Sequence, residues 1–334
     1  MPLSRYARVV AEDSAFPAAR LHIVTGKGGT GKTTVAAALA LALAAGGRRT
    51  LLVEVEGRQG IAPLFGLDPL PYAERPVAVA PEGGEVRALA VDAEEALLDY
   101  LEMFYKLGRA GRVLKKLGAI DFATTIAPGL RDVLLTGKVK EATTRADRGR
   151  RVYDAVVLDA PPTGRVGRFL NVNSEVAGLA RVGPIKTQSD GVMAVLRSPM
   201  TSVHLVTLLE EMPVQETADA VAELGEKGLP IGAIFVNSVQ TTSLVDAKVT
   251  QAEVKRGLSA AGLPTDRQTV KGLVDEVNDH VRRVSMEQRL RRELTELGRP
   301  TIDLPFLPDG VGGGSTDGLY ALAETMREAG VRTQ

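Results

Sequence analysis

The order of apolar segments along the sequence predicts an α/β fold with a mostly parallel sheet covered by helices on both faces. Apolar runs such as AVVLD at 155–159 alternate with helical segments. The runs are almost continuously apolar, which is typical of parallel strands buried on both faces. Two helical stretches, 93–127 and 166–200, interrupt the alternation, and we interpret them as an α-helical lobe inserted into the sheet domain.

The elements can be assigned in chain order. Residues 1–19 are predicted to be a leader, and the first strand, LHIVTG at 21–26, runs into a glycine-rich loop. The next segment, TTVAAALALALAAGG, is a helix of good helix formers that ends at a glycine pair. Further strands are predicted at RRTLLVEVEG, VRALAVD, VYDAVVLD, VHLVTLLEE, IGAIFVNSV and PTIDLPFLP. Helices are predicted at VQETADAVAELGEKG, over most of 241–298 and from Leu319 to Ala329. The sheet domain then comprises residues 20–92, 128–165 and 201–334.

The composition argues against several kinds of site and partner. Lys plus Arg and Asp plus Glu both total 41, so no net charge attracts nucleic acid. The sequence has no cysteine, so thiolate zinc sites and iron–sulfur clusters are not expected, and its three histidines are far apart. The longest apolar run, 35–45, is short for a membrane span, and the first 20 residues do not resemble a signal peptide. A cytoplasmic location is expected, with any membrane attachment made through a partner.

The strongest functional signal is the stretch from Gly26 to Thr33, which fits G-x-x-x-x-G-K-[ST] between a strand and a helix. In this motif backbone N–H groups surround phosphate oxygens, and the helix N-terminus adds partial positive charge. Lys32 is expected to reach the β- and γ-phosphates, and the Thr33 hydroxyl to bind Mg²⁺. The predicted phosphate-binding residues are Gly26, Gly28, Gly29, Thr30, Gly31, Lys32, Thr33 and Thr34. The fold is therefore expected to be that of a P-loop NTPase that takes ATP and Mg²⁺.

Asp159, which ends the apolar strand AVVLD, is a second candidate site residue. Ligands of open α/β sheets bind at the carboxyl ends of the strands, where a carboxylate can hold Mg²⁺ through a water molecule. An aspartate at a strand end is also a common turn residue. The phosphate loop in the same sheet favours the metal role.

The segment after Asp159, APPTGR, makes a family resemblance specific. A KGGxGKT loop together with D-x-x-P-T-G resembles the ArsA-like ATPases, which include the catalytic subunit of arsenite pumps and the ATPase that targets tail-anchored membrane proteins. The likeness is to bacterial members with a single ATPase half. It runs through most of the chain, at LLVEVEG, VRALAVD, APG (127–129), DAPPTGRVGRFL, VQET, FVNS and LPFLP.

The resemblance gives a role to the second lysine of the loop, Lys27. The family belongs to a larger group of P-loop ATPases with a deviant loop, whose additional lysine reaches across a dimer interface. Lys27 would then contact the nucleotide of the opposite subunit, where charge builds up during phosphoryl transfer. The alternative interpretation is an exposed loop lysine. The resemblance implies a dimer, either a homodimer or a heterodimer with an unlike ArsA-like chain. Because the sequence has no cysteine, this dimer would lack the zinc clasp of some family dimers.

The resemblance also assigns residues around the base and the attacking water. Asn237 matches an asparagine that recognises adenine, with a helix cap as the alternative, and Pro305 and Leu307 would flank the base. In the first switch this chain has Glu56-Gly57 where the family usually has Asp-Pro. Glu56 is the candidate for orienting the attacking water, although its extra methylene changes the position of the carboxylate.

Three neighbouring residues complete the candidate switches. Glu54 lies on the same strand face as Glu56, and we interpret it as a solvated carboxylate. Gly164 keeps the backbone N–H that would sense the γ-phosphate. Arg165 stands in the second switch where a histidine is common in the family.

The sequence leaves three outputs for ATP hydrolysis. The favoured one is closure of the helical lobe on a client, either a hydrophobic segment or a membrane-protein partner. An anion- or arsenite-efflux subunit is an alternative, although the chain lacks the cysteines that such enzymes use for the metalloid. A positioning switch like ParA or MinD is a third, but the C-terminal segment, LYALAETMREAGVRTQ, is short and of mixed charge.

Overall fold

A central eight-stranded sheet organises the protein, seen in a computed structural model that describes residues 16–55, 57, 59–105, 128–179, 184–240, 249–312 and 315–333. The described strands are β1 (Leu21–Gly26), β2 (Arg49–Glu54), β3 (Arg75–Val79), β4 (Glu85–Ala90), β5 (Ala146–Asp147), β6 (Arg150–Arg151), β7 (Ala155–Asp159), β8 (Thr201–Thr207), β9 (Ile231–Val239) and β10 (Thr301–Pro305). The sheet order is β10-β9-β8-β1-β7-β2-β4-β3, and β5 and β6 form a separate hairpin. Every neighbouring pair in the sheet is parallel except β3 with β4. The predicted α/β fold is confirmed.

Helices cover both faces of this sheet. They are α1 (Lys32–Ala44), α2 (Ile61–Leu64), α3 (Ala93–Tyr105), α4 (Pro128–Thr144), α5 (Thr163–Leu179), α6 (Pro184–Leu196), α7 (Glu211–Glu226), α8 (Gln251–Ala260), α9 (Arg267–Glu296) and α10 (Asp317–Glu328). The strands supply both cores by alternation: Val156 and Leu158 of β7 pack on one face, and Val157 packs on the other.

Helix α1 is the most deeply buried of the described helices. From Val35 to Ala44 no residue is more than 2% exposed. The helix is apolar on every side, which is the pattern of a helix enclosed by other elements. It lies between the sheet and α10, and the Thr333 hydroxyl donates a 2.7 Å hydrogen bond to the Leu43 carbonyl near its C-terminus.

The edge strand β3, with sequence RPVAV, was not predicted. It contains Pro76, which cannot donate a backbone hydrogen bond and is found in sheets mainly on edge strands. Its pairing with β4 shifts register between Pro76 and Ala78. The strand is largely exposed, so it lacks the continuous apolar run by which the central strands were recognised.

The helices around the predicted lobe pack against one another. Helix α4 contacts α3, α5 and α6, and α5 contacts α6. Helix α4 lies within residues 128–165, which are assigned above to the sheet domain. Its contacts nevertheless place it against the helices of the proposed lobe. Part of the lobe, residues 106–127 and 180–183, lies outside the described residues.

A chain of buried hydrogen bonds joins the start of the described chain to the sheet. The Ala233 N–H donates to His204 Nδ1 at 3.1 Å, so His204 carries its proton on Nε2 and donates to His22 Nδ1 at 3.0 Å. His22 Nε2 in turn donates to the Ala19 carbonyl at 3.0 Å. Phe16 stacks on both imidazoles, with ring centroids 5.6 and 5.1 Å away. The end of the predicted leader, from Phe16 to Ala19, therefore packs on strands β1 and β8.

This buried histidine pair predicts that the stability of the protein falls in acid. Burial lowers the pKa of His22 to about 4, and burial with the neighbouring imidazole lowers the pKa of His204 well below its usual value. Below pH ~6.5 the unfolded chain takes up protons that the folded chain refuses. The free energy of unfolding should therefore fall as the pH drops from ~6.5 towards 4, by up to about 1.4 kcal/mol per pH unit for each histidine. Urea unfolding between pH 5 and 7.5 measures this slope.

Two variants test whether the buried histidine pair causes this pH dependence of the free energy of unfolding. His22→Gln should flatten it, and His280→Gln, which removes a histidine of α9 that is not part of the pair, is the matched control. Equal slopes in the wild type and His22→Gln would show that the buried pair does not contribute.

Candidate nucleotide-binding site

The loop between β1 and α1 lies so close to its neighbours that glycine is required at two positions. At Gly26 a Cβ atom would be 2.1 Å from the Val206 carbonyl oxygen of the adjacent strand β8. Gly31 has φ of 86°, in the left-handed region, and a Cβ there would be 2.4 Å from Asn237 Nδ2. The backbone of the loop is thus fixed against both β8 and the end of β9.

Asn237 contacts the loop directly. Its Nδ2 donates a 2.9 Å hydrogen bond to the Thr30 carbonyl. The predicted base-recognising residue and the predicted phosphate loop are therefore brought together, although they are separated by about two hundred residues in the sequence.

A cleft of about 740 Å³ opens beside this contact. It is lined by the phosphate loop, the segment after β8, the end of β9, helix α9 and the segment after β10. Phe306, which is 48% exposed, lines the cleft between the predicted Pro305 and Leu307. Pro305 is buried at the end of β10, and Leu307 packs against the hydrophobic core. The aromatic ring of Phe306 is thus the apolar side chain that this segment offers to a base.

Helix α9 supplies cleft residues that sequence reasoning missed. Met286 and Glu287 line the side of the cleft formed by this helix, and burial raises the pKa of the Glu287 carboxyl group. No local motif marks them, because they reach the site only through the packing of a long polar helix.

Thr33 and Asp159 meet at the other end of the loop. The Thr33 hydroxyl donates a 2.7 Å hydrogen bond to Asp159 Oδ2. Thr33 lies in the first turn of α1 and Asp159 at the carboxyl end of β7, so the two sequence motifs converge at one point.

Glu54 belongs to the same place, and its interpretation as a solvated carboxylate is wrong. It is 3% exposed, lies opposite Asp159 in the β2–β7 register, and accepts a 2.7 Å hydrogen bond from the Gly60 N–H through Oε1. Gly60, directly before α2, thus lies against this carboxylate. A charged residue at a strand end is usually solvated, and no local motif in the sequence marks the hydrogen bond from Gly60 that covers this one.

The two loop lysines are held in different ways. Lys32 Nζ donates to the Lys27 carbonyl at 3.3 Å, and the Thr30 hydroxyl donates to the same carbonyl at 2.9 Å. The Lys27 ammonium instead pairs with Glu216 Oε1 on α7. Glu216 Oε2 accepts a 3.0 Å hydrogen bond from the Thr163 hydroxyl. Glu216 was not singled out from the sequence, because the only local clue is the segment VQET.

The segment after Asp159, predicted above to be the second switch, leads into a long helix. The Thr25 hydroxyl donates to the Pro161 carbonyl at 2.7 Å, which holds the segment after Asp159 against β1. Helix α5 begins at Thr163, so Gly164 lies in its first turn, where backbone N–H groups have no partner within the helix.

A second cleft, of about 850 Å³, lies on the lobe side of this switch. Gly57, Gly164 and the arginines Arg131, Arg165 and Arg168 line it. Arg165 thus faces a space between the switches and helices α4 and α5. Glu56, the predicted water-orienting residue, lies outside the described residues.

A glycine-rich loop between a buried strand and a buried helix, with a threonine against a carboxylate at the next strand, defines a nucleotide-binding protein of the P-loop class. Comparison with known proteins gives the particular family. Residues 19–196 match the family model described as anion-transporting ATPase. The chain belongs to this family, the ArsA-like ATPases.

Named relatives agree with this assignment. The chain is 51% identical over 328 residues to ATPase BagA of Mycobacterium tuberculosis, covering 96% of each protein. It is 29% identical over 235 residues to the arsenical pump-driving ATPase of Acidiphilium multivorum, covering 64% of this chain and 38% of that protein. It is also 28% identical over 213 residues to ATPase ARSA1 of Chlamydomonas reinhardtii, covering 56% of this chain and 27% of that protein.

None of the helices in the described ranges is both long enough and apolar enough to cross a membrane.

The tight fit at Gly31 can be tested by alanine substitution. Gly31→Ala should lower the free energy of unfolding without nucleotide by about 1–3 kcal/mol, because the new Cβ strains a left-handed residue and displaces Asn237. Gly28→Ala is the matched control in the same loop, since a Cβ there meets no atom within 4 Å. Its effect should stay within about 0.5 kcal/mol. Equal losses for the two variants in urea unfolding would contradict the steric account.

Proposed function

We propose that the chain is a Mg²⁺-dependent ATPase that works as a dimer and couples nucleotide binding to movement of a helical lobe that binds a client. The observation that carries the proposal is the position of α5. This helix of 17 residues starts at Thr163, directly after the segment that holds Asp159. Further along it contacts helices α4 and α6, at the proposed lobe. A shift of the switch at the γ-phosphate would be transmitted along a rigid helix.

The residues at the site fit ATP. Lys32 would exchange the Lys27 carbonyl for the β- and γ-phosphates, and the loop N–H groups would surround the phosphate oxygens. Asn237 and Phe306 would hold the base, the first by its amide and the second by its ring. Glu56 is proposed from the sequence alone as the residue that orients the attacking water.

The residues also fit Mg²⁺. Thr33 and Asp159 offer a hydroxyl and a carboxylate 2.7 Å apart, and Glu54 lies beside them in the register of the sheet. Mg²⁺ keeps several waters and needs few protein ligands when phosphates are present. When bound, it supplies positive charge against the phosphates during transfer. This agrees with the lack, among the described residues, of any cluster of three or more acidic or histidine side chains suited to a metal on its own.

The client site is proposed to involve the lobe, formed from residues 93–127 and 166–200. The second cleft supports it, because it places the switch residue Gly164 and helices α4 and α5 around one space. The alternative is an ATPase subunit of an arsenite- or anion-efflux system, which the named pump-driving relative favours. The chain has no cysteine, so a thiolate metalloid site of the kind expected for that activity is missing from its sequence.

The role of Lys27 is tested by Lys27→Ala. The variant should bind ATP within a few-fold of the wild type but hydrolyse it on the order of 100-fold more slowly, because the cation supplied across the dimer is lost. Binding of a fluorescent ATP analogue and phosphate release measure the two effects. Lys227→Ala, which removes a lysine paired with Glu223 of helix α7, is the control and should keep the wild-type rate. Wild-type turnover by Lys27→Ala would rule out the trans role.

The role of Glu56 is tested by Glu56→Gln. Turnover should fall by on the order of 100-fold while an ATP-bound dimer accumulates, because the amide cannot take the proton of the attacking water. Light scattering with ATP and Mg²⁺ measures the dimer, and phosphate release the rate. Glu85→Gln, at the amino end of β4 and away from the loop, is the control. An unchanged rate in Glu56→Gln would assign the attacking water to another residue.

A further inference from the structure

The ion pair between Lys27 and Glu216 turns the predicted trans lysine back towards its own subunit. Lys27 follows β1 in the phosphate loop, and Glu216 lies in the second turn of α7. The side chains are 30% and 32% exposed, so the pair is at the surface and open to competition. The hydrogen bond from Lys27 lowers the pKa of Glu216, which keeps it charged at neutral pH.

The same carboxylate also holds the second switch. Glu216 Oε2 accepts the Thr163 hydroxyl at 3.0 Å, at the start of α5. One side chain thus bonds the phosphate loop with one oxygen and the switch helix with the other. A displacement of the α5 N-terminus would remove the second bond and leave the ion pair with less support.

We propose that Glu216 positions Lys27 by holding its ammonium within its own subunit until a second subunit and its nucleotide arrive. The inference rests on the proposed function, because it concerns the residue that would act across the dimer. One ammonium cannot pair with Glu216 and also enter the partner's site. Formation of the active dimer must therefore exchange the ion pair for contacts with the opposite nucleotide.

The size of the effect follows from the exposure of the pair. Exposed ion pairs have modest energies. Removing the pair should therefore lower the protein concentration at which the dimer forms by about two- to five-fold. The loss of Glu216 should not alter the turnover rate of the assembled dimer, because Lys27 no longer contacts Glu216 in that dimer.

The test is turnover per subunit over a range of protein concentrations, in the wild type, Glu216→Gln and Glu223→Gln. Glu216→Gln keeps an acceptor for Thr163 but loses the charge, so the concentration for half-maximal turnover should fall two- to five-fold with an unchanged plateau. Glu223→Gln breaks a pair between the same helix, α7, and Lys227 just after its end, and should not shift that concentration. Dimer formation with a non-hydrolysable ATP analogue gives a second readout that needs no turnover.

The outcomes separate this inference from the proposed function. If wild-type turnover per subunit does not depend on protein concentration and Lys27→Ala equals the wild type, the trans mechanism itself is wrong. If the wild type shows that dependence and Lys27→Ala loses activity, an unchanged or raised half-maximal concentration in Glu216→Gln overturns the role of Glu216 alone. A lowered plateau would likewise overturn it, since Glu216 would then act in the assembled dimer. Glu216→Asp, with a shorter reach, should shift the midpoint in the same direction and serves if the amide variant does not fold.

Discussion

The burial of α1 against the sheet is the constraint on which the site depends. The helix is enclosed by the sheet and by α10, so its N-terminus, with Lys32 and Thr33, cannot shift relative to the strands. The preceding loop is pressed against β8 at Gly26 and against Asn237 at Gly31. Phosphate-binding N–H groups are useful only if they are held in place before the ligand arrives. The apolar residues of this helix, from Val35 to Ala44, provide that rigidity mainly by packing.

The contacts around this buried helix are polar and can be exchanged for others. Three of these contacts use groups that a bound nucleotide or a second subunit would contact instead. They join Thr33 to Asp159, Lys32 to the Lys27 carbonyl, and Lys27 to Glu216. Each can be exchanged at small net cost, because one charged or hydrogen-bonding partner replaces another. The geometry therefore combines a fixed cradle with exchangeable side chains, which suits a switch better than a fully preformed catalytic site.

Much of this could be predicted from the sequence where the signal is local. The loop glycines, Thr33 and Asp159 follow from strand–loop–helix patterns, and the central strands from their apolar runs. Glu54 and Glu216 could not be predicted. No local motif marks the hydrogen bond from Gly60 that covers Glu54, and the pairing of Glu216 with Lys27 joins elements that are distant in the sequence. Strand β3 was not predicted because an exposed edge strand does not need the continuous apolar run that marks the central strands. The family resemblance added Asn237, which spacing alone would not have joined to the loop.

The position of β1 in the sheet has a consequence for biosynthesis. Its neighbours are β7 and β8, whose first residues, Ala155 and Thr201, are made long after Leu21. During translation β1 has neither of its strand neighbours until β7 and β8 have been made, whereas the apolar helix α1 can already contact β2 and β4. The nucleotide cleft can be completed only later still, because it is also lined by the end of β9, by α9 and by Phe306.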